Sequence, residues 1–371
     1  MSNKLDSHAI HSSLSSLQFS PQEFQNKLQA YVFHPFIPSE NPNIIAGCSD
    51  GSFNCLWQIT HSTDHGYYHR PIYFGIVQAS IIETKYDNMI EKKYVNQYAT
   101  NMFDVLINLE KTFRLGVDTM LNKLMNRYEL FYLCKYAKEH TNRIIMLDGS
   151  LYHGSLTQAE SDQDQEDREE FKTLMKSVTI ISKDDLQLTN LNMSLQDLVQ
   201  ICQDQHHILV GVTKESFLLD EQLHFPYELA IRQASKLQHL SPDQLWYLPI
   251  HNVILPNKKP IHILFAKLHP RAIKWHRIDW IDTGFDLEKE ILPVLSQFAQ
   301  YNKFFGTPYP LQKAHSKAVD IRRLNEYFAN NLEKQLLQMQ FSPQEIFYGK
   351  TDPQGKLLQK NTFHDFLDKI V

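Results

Sequence analysis

Glycine and cysteine are scarce in this chain, and long apolar runs are absent. The 12 glycines among 371 residues fall below the average share of about 7%, so each glycine position is informative. The four cysteines form no C-x-x-C pair and no secretory h-region precedes them, which predicts a cytoplasmic protein with reduced thiols. No apolar run approaches the ~20 residues that span a bilayer, so we expect no membrane association.

Two further absences narrow the classes of function. The net charge is −5, so the chain has no global attraction to nucleic acid, and a local patch has to provide any DNA contact. No G-x-x-x-x-G-K-[ST] sequence occurs, so the chain has no nucleoside-triphosphate motif of its own. With 42% hydrophobic residues, the chain is long enough for two average domains or one large elaborated domain.

The order of apolar patterns predicts an α/β protein built around a mixed sheet that is flanked by helices. The segment Ser20-Pro21-Gln22-Glu23 predicts a helix start, with Ser20 as N-cap, Pro21 at the first position and Glu23 at the third. We predict strands over residues 44–49, 53–59, 72–82, 144–147, 207–212, 248–254, 261–266 and 272–281, and helices over 103–139, 187–205, 286–301 and 311–340.

The tripeptide Asp-Gly-Ser occurs twice, as Asp50-Gly51-Ser52 and Asp148-Gly149-Ser150, each time after an apolar run that predicts a buried strand. A carboxylate where a buried strand ends needs a partner because its desolvation is costly, and a metal ion is one such partner. Carboxylates that hold two divalent ions about 4 Å apart are typical of phosphodiester cleavage, and oxygen ligands favour Mg²⁺ or Mn²⁺. The alternative is a common turn in which the aspartate bonds its own backbone.

The predicted helix over residues 103–139 contributes a third carboxylate. Its apolar stripe consists of Leu121, Leu124, Met125, Tyr128 and Tyr132. At about 100° per residue, Glu129 falls on the edge of this stripe, from which its carboxylate can reach inward. We therefore add Glu129 to the candidate metal ligands.

Three further residues are candidates for the same chemistry. Lys214 follows the predicted strand 207–212, where its charge would neutralise a phosphate or position a water, although a solvated strand-end lysine is the alternative. Tyr309 and His315 follow Gly306 and open a predicted helix, with His315 on the side that packs. A histidine there would bind a metal or protonate a leaving oxygen, but a buried structural histidine and a packing tyrosine are the simpler interpretations.

A basic and aromatic segment is the candidate DNA contact. Its residues are Lys267, Arg271, Lys274, Trp275 and Arg277. Cations interleaved with aromatic rings suit a single strand, because the bases stack and the phosphates pair with the cations. The alternative is a β-hairpin with a solvated face.

Several short segments, taken in order, resemble the NurA nuclease family. These segments are Ser49-Asp50-Gly51-Ser52, the helical Glu129, Leu147-Asp148-Gly149-Ser150-Leu151, Gly211-Val212-Thr213-Lys214-Glu215-Ser216, and Pro308-Tyr309-Pro310-Leu311 followed by Ala314-His315. Each segment is short, but their ordered combination is fairly specific.

The resemblance implies a ribonuclease H-like core and a DNA nuclease that uses two Mn²⁺ ions, with Mg²⁺ as the other option. It implies single-strand endonuclease and 5′-to-3′ exonuclease activity in DNA double-strand break repair, as a homodimer with a hexameric HerA-like ATPase. Asp50, Glu129, Asp148 and His315 match the family's metal positions, and Lys214 and Tyr309 match its catalytic positions more loosely. The nuclease domain is then expected at 44–341, between an N-terminal arm at 1–43 and a tail at 342–371.

Two other classes of function compete with this interpretation. A catalytically weak DNA-binding adaptor would dock an ATPase and thread a strand, yet it would have no reason to keep its carboxylates together. A metal-dependent phosphatase or small-substrate phosphodiesterase would not need the basic aromatic segment. For a docked ATPase, the apolar residues Leu17, Phe19 and Phe24 of the arm are the expected contact.

Overall fold

A computed structural model describes most of the chain. The described residues are 20–38, 45–61, 70–87, 93–108, 117–151, 178–180, 193–214, 216, 218–220, 223, 225–254, 260–281, 283–319, 334, 338, 346–348 and 361–362. Within these ranges, no helix has both the length and the apolar character that crossing a bilayer requires. The docking candidates Leu17 and Phe19 lie outside the described residues.

The described residues form helices and strands in alternation. The helices are α1 (Pro21–Gln29), α2 (Val117–Glu139), α3 (Leu195–Asp204), α4 (Tyr227–Leu237), α5 (Leu292–Ala299) and α6 (Tyr309–Val319), with a π-helical turn (Leu287–Ile291) directly before α5. The strands are β1 (His34–Phe36), β2 (Ile45–His61), β3 (Arg70–Asp87), β4 (Lys93–Asn108), β5 (Ile144–Asp148), β6 (Val178–Ile180), β7 (Ile208–Thr213), β8 (Leu219–Asp220), β9 (Phe225–Pro226), β10 (Leu245–Ile254), β11 (Pro260–Lys267), β12 (His276–Ile281), β13 (Ile346–Tyr348) and β14 (Asn361–Thr362).

One large mixed sheet organises the molecule. Its strand order is β1-β10-β11-β12-β7-β5-β2-β3-β4-β6, and β13 pairs with the far half of β2. The central strands β2, β5 and β7 are parallel, while the outer strands are antiparallel. Parallel neighbours require crossover connections, and α2 and α3 supply helices for them. The predicted mixed α/β architecture is therefore confirmed.

The sheet has an apolar core on each face. On one face, α2 and α3 pack on apolar side chains that include Ala79, Ile145 and Leu209. On the other face, α5 and α6 pack on Ala46, Met146 and Val210. Because successive side chains of a strand point to opposite faces, this division assigns every residue of the central strands to one helix layer or the other.

The first Asp-Gly-Ser segment does not end a strand, and this part of the prediction is wrong. β2 runs through it without a turn, and Asp50 lies opposite Ser80 of β3. Gly51 serves a close approach instead: a Cβ there would lie 2.5 Å from both Glu129 Oε1 and Met125 Cγ of α2. The two predicted strands 44–49 and 53–59 are thus one strand, since β3 pairs with it along its whole length.

Two other predicted boundaries are also corrected. Residues 103–108, predicted as helix, belong to β4 because they pair with β3 from Phe103 to Asn108. The helix α2 begins at Val117, and its predicted apolar stripe is confirmed, since Leu121, Leu124 and Tyr128 are buried. The helix predicted from 311 begins at Tyr309.

The described part of the N-terminal arm packs on the domain. Ser20 and Glu23 form the predicted capping box at the start of α1. Phe24, expected to be exposed for docking, instead lies edge-to-face on Phe225 with a ring-centroid distance of 5.7 Å. The strand β1 then pairs with the edge strand β10. Residues 20–38 of the arm therefore pack on the domain, and the tail contributes β13 to the sheet.

Candidate metal centre

Neighbouring parallel strands bring three of the predicted site residues together. Ser49 of β2 lies opposite Leu147 of β5, and Asp148 lies opposite Val212 of β7. Asp50, Asp148 and Lys214 therefore succeed one another across adjacent strands. By the alternation of side chains they share the sheet face that α5 and α6 cover.

The helix α6 adds an imidazole to this face. Leu311, Ala314 and Ala318 are its buried side, and Ser52 Oγ of β2 donates a hydrogen bond to Ala318 O. His315 stands at the edge of that buried side, with Nδ1 3.0 Å from Asp50 Oδ2 and 59% of its side chain exposed. The prediction that His315 lies on the packed side is corrected: it borders solvent, so the site is open.

Asp50, Asp148 and His315 form a group that fits a metal ion. Each offers one ligand atom, and these atoms lie within 4.8 Å of one another. Asp50 is buried and Asp148 is half-buried, while His315 is exposed. The Lys214 ammonium forms an ion pair with Asp148 Oδ2 and places a cation beside this group.

Glu129 approaches from the opposite face of the sheet. It lies on α2 next to Gly51, it is buried, and Ser49 Oγ donates to its backbone oxygen at 3.4 Å. It lies outside the three-residue group of ligand atoms. Because Gly51 has no side chain, the Glu129 carboxylate can approach β2 next to Asp50.

The electrostatics of the site disfavour its own negative charge. Burial and then the charge of Asp148 raise the pKa of Asp50 to about 6, although Lys214 and His315 act in the opposite direction. Burial also raises the pKa of Glu129 well above its ordinary value, and Asp50 and Asp148 raise it further. Like charges gathered in a low-dielectric site are stabilised by a bound cation.

A family model described as the NurA domain matches residues 67–320. This span is more than half of the chain. The chain belongs to the NurA family. Its mixed sheet and flanking helices are the ribonuclease H-like fold of NurA structures. The family match begins after Asp50, so the structure, and not that match, joins Asp50 to the site.

Solved NurA structures are similar in fold. The NurA nuclease from Sulfolobus solfataricus has 17% sequence identity and a TM-score of 0.52, over 89% of this chain and 95% of its own. A second structure, described as NurA, has 14% identity and a TM-score of 0.44, over 85% of this chain and 93% of its own. No curated protein matches the sequence.

The buried ion pair of Arg277 and Asp279 holds the second Asp-Gly-Ser segment of this NurA chain in place. Ser150 Oγ and the Leu151 amide donate to Asp279 Oδ2 at 2.6 and 3.0 Å. Arg277 donates to both oxygens of Asp279 at 2.7 and 2.8 Å. Gly149 adopts a φ of 136°, which a side chain would disfavour. The loop that follows the ligand Asp148 is thereby fixed.

Two residues predicted to contact DNA are instead structural, and the prediction for them is corrected. Arg277 is buried because it neutralises Asp279, which also lies inside the sheet. Trp275 is buried against Phe33, with ring centroids 5.5 Å apart. Neither side chain presents a face to solvent.

The other predicted DNA residues lie nearer the surface. Lys267 is half-buried and donates to Pro242 O at 3.2 Å, and Arg271 is exposed. Lys274 is half-buried, with Nζ 5.9 Å from the centre of the Phe305 ring. Tyr309 is buried, and the Nζ atom of Lys313 lies 5.4 Å from the centre of the Tyr309 ring. Tyr309 lies outside the carboxylate group. The roles of these four residues stay predictions.

Asp279 is the residue of the site that the sequence prediction missed. The signal was present as Arg277-Ile278-Asp279 within an apolar strand, because residues two apart on a strand share a face and a buried charge needs its partner there. An arginine and an aspartate two residues apart in a buried strand therefore predict an ion pair between them.

Proposed function

We propose that this chain is a divalent-metal-dependent deoxyribonuclease. The observation that carries the proposal is the group of Asp50, Asp148 and His315, whose ligand atoms lie within 4.8 Å of one another on one face of a ribonuclease H-like sheet. Family membership supports it, as does the similar Sulfolobus solfataricus protein, which is a NurA nuclease.

The donor set suits a hard or borderline divalent ion. Carboxylate oxygens favour Mg²⁺ and Mn²⁺, and an imidazole nitrogen favours a softer ion than Mg²⁺. We therefore expect Mn²⁺ to be held by Asp50, Asp148 and His315, with Mg²⁺ as a weaker substitute. Glu129 stands as the residue for a second ion, since it lies beside Gly51 and shares the electrostatic environment of both aspartates.

The metal, when bound, would activate a water and polarise the scissile phosphate. The chain's own groups do the rest. The two aspartates and His315 set the position of the reacting centre, and the partly exposed imidazole leaves a route for the substrate. Lys214, already placed beside Asp148, supplies positive charge to the phosphate oxygens as they gain charge.

A finer assignment rests on the family alone. We propose single-strand endonuclease and 5′-to-3′ exonuclease activity in the processing of double-strand break ends. The protein would act in the cytoplasm as a homodimer. A HerA-like hexameric ATPase is proposed as the partner because the chain has no nucleoside-triphosphate motif, and processive opening of a duplex needs a motor.

The deciding experiment is a nuclease assay on end-labelled single- and double-stranded DNA with Mn²⁺, Mg²⁺ or a chelator. Cleavage should need the metal, and Asp50→Ala and Asp148→Ala should each abolish it. Asp204→Ala is the matched control, because this exposed carboxylate on α3 lies outside the site. If either site variant cuts at the wild-type rate with saturating Mn²⁺, the two-aspartate centre is refuted.

The same assay separates the nuclease from a DNA-binding adaptor. An adaptor would bind the labelled strand and leave it intact under every metal condition. The carboxylates argue for the nuclease, since burial and then the charge of Asp148 raise the pKa of Asp50, and such a costly arrangement would serve no purpose in a protein without a cation.

A further inference from the structure

Three aromatic rings project from the segment between α5 and α6. Tyr301 is 53% exposed, Phe304 is 59% exposed and Phe305 is 44% exposed. The rings of Phe304 and Phe305 lie edge-to-face, 4.8 Å apart. Large apolar side chains exposed side by side are uncommon on a monomer and mark a binding surface. We call Tyr301, Phe304, Phe305 and the adjacent Lys274 the aromatic platform.

The backbone beneath the platform is held firmly. The Gly306 amide donates to Asn302 O at 2.7 Å, and the Phe305 amide donates to Asn302 Oδ1 at 3.2 Å. The Ile273 amide donates to Phe304 O at 3.0 Å, and His276 Nε2 donates to Phe305 O at 2.9 Å. Because the carbonyl groups are tied to the β12 side of the sheet, the rings are presented to solvent by a fixed loop.

Positive charge surrounds these rings. Residues 267–278 and 299–319 contain no aspartate or glutamate, although the whole chain has a net charge of −5. Lys274 lies over the Phe305 ring, and Arg271 and Lys303 are exposed. The pKa of His269 is lowered by burial first and then by Lys303 and Arg271, so these cations converge on one region. Lys267, which lies beside Asp243, is at the border of this region of positive charge.

The platform lies beside β12, two strands away from the β5 strand that carries Asp148. Arg277 of β12 is opposite Thr213 of β7, which places His276 beside Lys214. His276 in turn bonds the backbone of Phe305. Strands are about 4.8 Å apart, so the platform begins about 10 to 15 Å from Asp148.

We propose that the aromatic platform binds unpaired bases of a single DNA strand and leads the strand into the metal centre. Phe304, the most exposed ring, stacks on a base, while Lys274, Lys303 and Arg271 bind the flanking phosphates. This inference rests on the proposed nuclease function and adds a substrate path to it.

The chemistry favours a single strand over the two other occupants of such a surface. A duplex keeps its bases stacked on each other, so its surface offers no base face to Phe304. A second protein chain would leave several lysines in or next to the contact, and lysine is depleted from protein interfaces. Bases stack on aromatic rings and phosphates pair with cations only when both are available, as in a single strand.

The test is the affinity for fluorescein-labelled oligothymidine, measured by fluorescence anisotropy in EDTA so that no cleavage occurs. Phe304→Leu keeps an apolar side chain but removes the aromatic face, and should weaken binding by about 5- to 100-fold. Phe304→Tyr keeps the face and should bind as wild type does. Ile37→Ala is the surface control, since Ile37 is exposed next to β1 at the far edge of the sheet.

Two results would overturn the platform. One is an unchanged affinity of Phe304→Leu and of Phe304→Ala, with the fold confirmed by circular dichroism. The other is a changed oligomeric state in light scattering with unchanged DNA affinity, which would assign the rings to contact with a second copy. If Phe304→Leu binds DNA more weakly but the wild-type protein never cleaves DNA, the platform stands and the nuclease proposal is refuted. The failure of one proposal is therefore distinguishable from the failure of the other.

Discussion

His315 Nδ1 lies 3.0 Å from Asp50 Oδ2, although 265 positions of the chain separate the two residues. An imidazole near the end of the described domain thus completes a site that begins in its first long strand. The contact depends on α6 packing over β2, and Ser52 reinforces this packing by its bond to Ala318. The predictions below test the charges, the space and the boundaries on which this arrangement depends.

Replacing Asp50 by asparagine should stabilise the metal-free protein above about pH 6. The folded-state pKa of Asp50 is about 6 and its ordinary value is 3.8, so its contribution is favourable below the unfolded value and is lost as pH rises through 6. At about 1.4 kcal/mol per pKa unit, the gain at neutral pH is roughly 3 kcal/mol. Urea unfolding in EDTA at about pH 8 and pH 4 measures it, and the two proteins should converge at the lower pH.

Asp148→Asn supplies the contrast for that measurement. Asp148 is the ion-pair partner of Lys214, so its removal takes an attraction away along with the repulsion from Asp50. We expect a smaller gain than for Asp50→Asn. An equal or larger gain would show that Lys214 contributes nothing to Asp148.

Metal binding should weaken as pH falls below about 6. Asp50 must lose its proton to bind an ion, so the apparent affinity should drop by up to about tenfold per pH unit in that range. The rise in melting temperature on adding Mn²⁺ measures the affinity at each pH. Equal Mn²⁺ stabilisation at about pH 5 and pH 8, or in the Asp50→Asn variant, would exclude Asp50 as a ligand.

Gly51→Ala should destabilise the protein by about 1 to 3 kcal/mol, because the new Cβ overlaps Glu129, Met125 and the Gln78 carbonyl. Glu129 has to move, so Mn²⁺-dependent activity should fall as well. Adding Glu129→Ala removes one of the three overlaps and should recover part of the stability but none of the activity. A Gly51→Ala protein of wild-type stability would show that α2 does not crowd β2.

Arg277 and Arg271 should behave differently when each is replaced by alanine. Loss of Arg277 leaves Asp279 buried and unpaired, which should cost about 3 to 5 kcal/mol of stability. Loss of the exposed Arg271 should change stability by no more than about 0.5 kcal/mol, but lower the slope of log affinity for single-stranded DNA against log salt by roughly 0.7. If the stability loss falls on Arg271 instead, the division between structural and DNA-binding arginines is incorrect.

Removing residues 1–19 should leave the domain folded. The cut spares Ser20, which caps α1, and β1, which pairs with β10. If Leu17 and Phe19 dock the HerA-like ATPase, co-purification should be lost with this truncation and kept with the full chain. A complex that survives truncation would place docking elsewhere, and no complex with the full chain would refute the partnership.

Local signals in the sequence predicted elements whose cause is local. The Ser20 capping box, the apolar stripe of α2 and the buried strand before Lys214 all follow from residues within one or two turns of each other. The convergence of Asp50 and Asp148 was also predictable, since both follow apolar runs that form neighbouring parallel strands. His315 was predicted as a ligand but placed on the wrong side, because helical periodicity alone does not locate the boundary between core and solvent.

The incorrect predictions share a different cause, which is pairing across long distances. Residues 103–108 were predicted as helix, but they form a strand because they pair with β3. Asp50-Gly51-Ser52 was predicted as a turn, but it is extended because it pairs with β3 and packs against α2. Trp275 was predicted as a DNA contact because its partner Phe33 is distant in sequence and meets it only in the folded domain. Arg277 is the exception, since its partner Asp279 lies two residues further along the same strand and was overlooked.

The packing of α6 on β2 also determines at which stage of synthesis the ligand set is complete. Chains emerge from the ribosome N-terminus first, so Asp50 and Asp148 are available well before His315. A chain that ends before Tyr309 lacks α6 and holds two repelling carboxylates without their imidazole. Nascent chains and terminated products that end before Tyr309 therefore lack the complete group of ligand atoms.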